Sequence, residues 1–305
     1  MTDLAVRPVT PDDADALLDL VVRCDIAEIG QPDYTIEDVE EDLARTTHRG
    51  WVTVGPDGEL EGYCWVEQRP NHKSIDADVM VRPGGDPALL PQLLEQTRSA
   101  AREIDPSLPV LVFASSDNRP KRAVFEAAGG RVVRHFWRMA VDLPDSPAPV
   151  GPPLPEGVEV RVADRGESDL RAVHHVIDTA FLDHFGNQAS SYEEWAPTHT
   201  TGSWSDHSLW WLATVDGELA AAAITSSRPD PDGFIADLGT LPAYRGRGLA
   251  RILLLTAFAE FHRRGLRKVT LGVDSTNPTG AVTLYTSVGM TVRHEFATYE
   301  LPPIT

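Results

Sequence analysis

Leu238-Gly-Thr-Leu-Pro-Ala-Tyr-Arg-Gly-Arg-Gly-Leu-Ala250 joins a short apolar run, ending at Pro242, to a glycine-arginine turn. The turn, Arg245-Gly-Arg-Gly-Leu-Ala250, opens into an apolar stretch with helical period. A strand, a glycine turn and a helix start in that order make an anion site. The first backbone N–H groups of a helix have no intrahelical partner, and the helix dipole places partial positive charge on them. Gly246 and Gly248 let the backbone come close to a phosphate, and Arg245, Arg247 and Arg251 add positive charge in an otherwise acidic chain. By itself such a turn also fits an ordinary surface loop, so its meaning depends on what surrounds it.

The chain has 305 residues, a length that favours two domains. Its hydrophobic content of 42% is enough for two cores. The net charge of −19 repels nucleic acid and anionic membrane and would attract cationic substrates; an acidic surface kept for solubility reads the same way. Neither nucleic acid nor membrane is expected as a partner. Cys24 and Cys64 form no CxxC or Cys/His cluster, so neither a disulfide framework nor a metal site is expected. No apolar signal core follows Met1, and no apolar run approaches a membrane span. A cytoplasmic protein is the expectation. P-loop and Rossmann glycine motifs are absent.

The stretch from Leu143 to Pro155 is dense in proline and reads as an extended linker. The same order of elements stands on each side of it. A short strand and a capped helix come first, starting at Leu4 and Val158. Hairpins follow, with turns at Gly55–Gly58 and Val215–Gly217. A strand then ends at Pro83 or Pro242 and leads to amphipathic helices over 87–104 and 249–264. Strands over 110–114 and 268–273 follow, then helices that begin at Asn118 and Asn277 and end at Gly129 and Gly289. Final strands run over 131–142 and 291–301. The economical reading is a duplicated unit: domains over 1–143 and 157–305, with the linker at 144–156. The fold class is α/β, as a mixed sheet flanked by helices.

The second half also carries Asn277-Pro-Thr-Gly-Ala-Val-Thr-Leu-Tyr-Thr-Ser-Val-Gly-Met290. This string, placed after the Pro-x-Tyr-Arg-Gly-x-Gly turn and one helix, resembles the GNAT superfamily of acyl-CoA-dependent N-acyltransferases. The pairing of two such units resembles the tandem arrangement of mycothiol synthase and its relatives. The resemblance implies an enzyme that uses acetyl-CoA as co-substrate and needs no metal. It implies that the N–H groups of Arg245, Gly246, Arg247, Gly248, Leu249 and Ala250 hold the pyrophosphate. The strand edge at Leu238 and Thr240 would pair with the pantetheine amides, and Asn277 would hold that arm or its turn. Tyr285 would be the general acid that protonates the departing thiolate, because a phenol can donate to a thiolate of similar basicity.

The first half departs from this pattern. Gly84-Gly-Asp-Pro-Ala-Leu-Leu90 lacks the arginines, Asp86 puts negative charge where a pyrophosphate would sit, and Phe125 stands at the tyrosine position. That half is expected to be a degenerate, non-catalytic copy. The glutamate that many relatives use as base is replaced by Phe234. Asp237 is the nearest alternative, although strand alternation could turn it to the other face. Asp183, His184 and Glu194 are candidates for acceptor recognition, and water can relay the proton instead. The expected reaction is acetyl transfer to the primary amine of a small cationic molecule. A non-catalytic acyl-CoA-binding module and a protein or peptide N-acetyltransferase are the alternatives. Acyl preference, acceptor identity and oligomeric state are not encoded legibly.

Overall fold

The computed structural model describes residues 5–69, 73–145, 151–182, 189–201, 205–227, 232–276 and 280–302. Contacts divide the chain into two units, one of Met1–Phe136 with His294–Thr305 and one of Trp137–Arg293.

The first unit begins with β1 (Val6–Pro8) and a 3-10 turn over Pro11–Asp13. Thr10 and Asp13 form a reciprocal capping box there. Next come α1 (Ala14–Ile29), α2 (Ile36–Ala44), β2 (His48–Val54), β3 (Leu60–Glu67) and β4 (Ile75–Val81). Then follow α3 (Leu89–Ile104), β5 (Val110–Ser115), α4 (Arg119–Ala127) and β6 (Arg131–Asp142). Strands pair in the order β1, β2, β3, β4, β5, antiparallel except for the parallel step from β4 to β5. Leu89, Leu93 and Leu94 of α3 pack on one face of this sheet, and Leu17, Leu20 and Val39 of α1 and α2 pack on the other.

The second unit repeats the plan. It contains β7 (Val158–Val162), α5 (Glu167–Phe181), α6 (Tyr192–Thr200), β8 (Trp211–Val215), β9 (Glu218–Ser227) and β10 (Asp232–Thr240). After it come α7 (Leu249–Arg263), β11 (Lys268–Asp274), α8 (Ala281–Ser287) and β12 (Thr291–Leu301). Its strands are ordered β6, β11, β10, β9, β8, β7. Leu253, Phe258 and Phe261 of α7 cover one face, and Val173, Val176 and Trp195 of α5 and α6 cover the other. Asp216 (φ 52°) and Gly217 (φ 83°) both adopt the left-handed conformation that a two-residue hairpin turn requires.

The unit boundaries do not fall at the proline-rich linker; they fall inside β6 and β12. Trp137–Asp142 belongs to the second unit, where Met139 is buried and the Leu143 N–H donates to the Arg267 carbonyl. Conversely, Phe296–Leu301 pairs antiparallel with Ser115–Val110 in the first unit and buries Ala297, Tyr299 and Leu301 in its core. These compact units therefore differ in extent from the contiguous halves 1–143 and 157–305. The cause is that each closing strand crosses from one unit to the other partway along its length. No local residue pattern marks such an exchange.

Candidate active site

Two irregularities in β10 create the site. Its parallel pairing with β11 runs from Asp232↔Lys268 to Ile235↔Leu271 and ends there, although β10 continues to Thr240 and β11 to Asp274. The strands part, and the β10 edge beyond Ile235 has no β11 partner. On the other side, the register with β9 slips between Ile235 and Asp237, leaving Ala236 as a bulge. The bulge resets the alternation of faces. Gly239 faces α5, since a Cβ there would meet the Ala180 Cβ at 3.0 Å. Asp237, two residues earlier, shares that face.

A cavity of about 320 Å³ occupies this fork. Leu238, Gly239 and Thr240 form one wall, and Gly280, Ala281, Leu284 and Tyr285 form another. The turn from Tyr244 to Arg251 closes one end, except for Arg247, whose guanidinium lies over the Tyr244 ring, 5.4 Å from its centroid. Gly246 and Gly248 both have φ of +79°, and a Cβ on either would find open space in front of it. Side chains other than glycine are strained in that conformation. Gly248 is also the N-cap of α7 and brings no side chain to satisfy the helix N–H groups. The first helical bond goes from the Ile252 N–H to the Gly248 carbonyl. The N–H groups of Leu249, Ala250 and Arg251 thus remain for an anion. Thr240 lines the cavity, and its buried hydroxyl has no hydrogen-bond partner among the described residues. A phosphate-bearing ligand with an amide-containing arm fits this donor set.

Two titratable groups stand at the fork. Burial pushes the Asp237 carboxyl up to about 6. Burial, reinforced by the Asp237 charge, pushes the Tyr285 phenol up to about 12. At neutral pH the first is therefore a carboxylate poised to take a proton and the second a phenol that keeps its own.

The structure thus gathers Leu238, Thr240, Arg245, Gly246, Gly248, Leu249, Ala250 and Tyr285 around one cavity; Asp237 is not among its lining residues, but its charge reaches Tyr285. Glu194 is not among the lining residues; its carboxylate accepts the N–H and hydroxyl of Ser191 in the capping box of α6. Asp183, His184 and Asn277 lie outside the described residues. Tyr244, Gly280 and Leu284, which stand in the two quoted motifs without an assigned role, also line the cavity, as do Ala180 and Phe181 of α5. Ala180 and Phe181 reach the cavity through tertiary packing of α5, and nothing in their spacing signals it.

The first unit has a cavity of about 340 Å³ at the matching fork, where β4 and β5 part beyond Ala77↔Val112. Its chemistry is different. The Asp86 carboxylate accepts the Ala88 N–H at 2.9 Å, and the Leu89 and Leu90 N–H groups donate to the Asp86 and Pro87 carbonyls, so the N–H groups at the start of α3 are already bonded. Phe125, fully buried, takes the tyrosine position.

Comparisons with known proteins fit this geometry. The model of the Acetyltransferase (GNAT) family matches residues 172–290. The mycothiol acetyltransferase of Thermomonospora curvata is 32% identical over 252 residues, covering 81% of this chain and 80% of that one. The mycothiol acetyltransferase of Cellulomonas flavigena is 31% identical over 314 residues, covering 98% and 88%. Among solved structures, a GCN5-related N-acetyltransferase from Sphaerobacter thermophilus is similar with a TM-score of 0.82 and 28% identity, over 100% of this chain and 98% of that one. A tandem GNAT protein from the clavulanic acid biosynthesis pathway shares the fold, with a TM-score of 0.79 at 17% identity over 99% and 100%.

Proposed function

The chain belongs to the GNAT family of acetyltransferases, and from that premise we propose that its second unit acetylates a primary amine in the fork between β10 and β11. The chain is an acyl-CoA-dependent acetyltransferase with acetyl-CoA as co-substrate. The observation that carries the site assignment is that phosphate cradle, open strand edge and Tyr285 share one cavity.

In this reading the N–H groups around Gly246 to Arg251 bind the pyrophosphate, and Asn277 holds the pantetheine arm or the local turn. The free edge at Leu238 and Thr240 pairs with the pantetheine amides as a strand pairs with an added peptide. A backbone N–H of the same edge meets the oxyanion. The acceptor arrives as an ammonium and loses one proton to Asp237, which passes it to solvent. The amine nitrogen then attacks the thioester carbonyl. As the C–S bond breaks, the Tyr285 phenol gives its proton to the thiolate, and the second proton on nitrogen returns to the tyrosinate. The products are the amide, free coenzyme A and one proton. The acceptor is a small cationic amine, a class favoured by the net charge of −19. The name of the relatives suggests a molecule related to mycothiol. The first unit performs no transfer, because the N–H groups at the start of α3 are bonded within their own turn and Phe125 stands where the acid would be. Incubation with acetyl-CoA and a panel of amines, following free thiol, tests the function. Tight acetyl-CoA binding without turnover on any amine would instead favour the binding-module alternative.

Asp237 gives this reading a pH signature. Activity should rise with pH through about 6 as the carboxyl ionises, and Asp237→Asn should remove that limb from the kcat/KM profile. Stability should respond in the opposite sense. A carboxyl whose folded pKa lies above its unfolded value holds its proton more tightly when folded, so stability falls between about 4 and 6 as the unfolded chain ionises first. Asp237→Asn should therefore raise Tm at pH 8 and leave it unchanged at pH 4. An unchanged Tm at pH 8 would contradict the burial of charge at this position.

A further inference from the structure

The duplication places the same carboxylate in both units. Asp78 and Asp237 each stand five residues before the proline that follows the strand, Pro83 and Pro242. Asp78 pairs with Trp65 and Asp237 with Ile224, residues that each lie seven positions past the left-handed turn glycines Gly58 and Gly217. The two carboxylates therefore occupy equivalent rungs of equivalent hairpins. Their surroundings differ in one respect.

In the first unit the rung is filled. Lys121 Nζ lies 2.7 Å from Asp78 Oδ1, and both side chains are nearly removed from solvent, at 6% and 13% exposure. The same oxygen accepts the Val79 N–H at 2.8 Å. Burial draws the Lys121 ammonium down, but the Asp78 and Glu28 carboxylates outweigh it and leave it above its ordinary value. Lys121 is thus a primary ammonium held on this carboxylate by the fold itself. It sits in α4 four residues before Phe125, and the residue four before Tyr285 is Ala281, which lines the second cavity. A methyl group stands where the first unit has a four-carbon ammonium. Among the described residues nothing replaces it: burial alone sets the Asp237 carboxyl, and no cation is paired with it.

We propose that the acceptor docks on Asp237 as a primary ammonium, in the relation that Lys121 holds to Asp78 in the first unit. The proposal rests on the acetyltransferase reading of the cavity and adds the form in which the substrate is recognised. A half-buried carboxylate without a partner is costly, and an incoming ammonium offsets that cost through a charge-assisted hydrogen bond. A compact ammonium with three donors suits the place, whereas a planar guanidinium or a quaternary cation without N–H does not reproduce the Lys121 contact. Asp237 then has two successive tasks, holding the cation and accepting its proton.

The test is calorimetric titration of n-butylammonium into the full chain saturated with free coenzyme A, where no transfer can occur. At pH 8 the wild type should bind it at least tenfold more tightly than Asp237→Asn does, and at least tenfold more tightly than it binds tetramethylammonium. Binding should fade below pH 6. Coenzyme A affinity and Tm of the variant at pH 8, neither of which should fall, control for misfolding, and Asp237→Glu should recover part of the affinity. Equal affinity of wild type and Asp237→Asn overturns the docking role. So does an acetylation assay in which Asp237→Asn lowers kcat but leaves the amine KM unchanged; in that event the transferase reading stands and the docking role falls. Butylammonium binding that depends on Asp237, in a protein that acetylates no amine, upholds the docking role and overturns the transferase reading.

Discussion

Tyr285→Phe is expected to lower kcat for acetyl transfer by about 10²- to 10⁴-fold, with coenzyme A affinity and Tm close to wild type. The substitution removes one oxygen and nothing else of consequence. The Tyr285 ring is packed in the core that includes Leu249, Leu253 and Met290, and phenylalanine keeps that packing. Its hydroxyl forms no hydrogen bond with any of the described residues, so no partner among them is orphaned. What is lost is a proton held on a phenol pushed up to about 12, beside the place proposed for the departing thiolate. Steady-state kinetics with release of free thiol as readout, accompanied by a thermal melt, checks this. Unchanged kcat would remove Tyr285 from the chemistry, because a structural role would appear in Tm instead.

Ending the chain after Arg293 should unfold the first unit. The lost segment supplies Ala297, Tyr299 and Leu301, all at 2% exposure or less, and it is the antiparallel neighbour of β5 along Val110–Ser115. The Tyr299 ring also packs edge-on against Phe125 at 5.5 Å, and its hydroxyl accepts a hydrogen bond from Arg122 Nε at 3.0 Å. Removing one large buried side chain costs about 2–5 kcal/mol. Losing Tyr299 and Leu301 together with the strand hydrogen bonds therefore reaches the whole stability of an ordinary domain, about 5–15 kcal/mol. The same argument applies to a fragment of residues 157–305, which lacks Met139 and the strand beside β11. Circular dichroism and limited proteolysis of the truncated chain measure the effect. A cooperative melt of the first unit at the wild-type temperature would contradict the strand exchange.

The features legible in the sequence are those with a local physical cause. Gly246 and Gly248 are needed because the turn runs through positive φ, and the turns at Gly55–Gly58 and Val215–Gly217 announce their hairpins. Tyr285 and the cradle can be placed together because their order along the chain matches a known family. Helices α2 and α6 are too short to stand out by periodicity, yet each carries a local start signal: Thr35 with Asp38 and Ser191 with Glu194 are both capping boxes. Glu194, by its sequence position a candidate substrate contact, bonds to Ser191 at that helix start. The bulge at Ala236 has no glycine or proline to mark it, so the face of Asp237 is not readable from alternation. The Lys121–Asp78 pair joins an α4 side chain to a β4 side chain across the fold, and the exchange of β6 and β12 depends on pairing over more than a hundred residues. Neither leaves a local trace.

The central claim is that the fork beside α7 is the place where this chain holds coenzyme A. Calorimetric titration of coenzyme A measures this directly, on the wild type, on Gly248→Val, whose Cβ strains the left-handed N-cap and enters the space before the cradle, and on Asp86→Ala. The predicted result is one coenzyme A per chain for the wild type and for Asp86→Ala, with affinity reduced at least a hundredfold in a folded Gly248→Val. Two molecules bound per chain, or undiminished affinity in Gly248→Val, would contradict it.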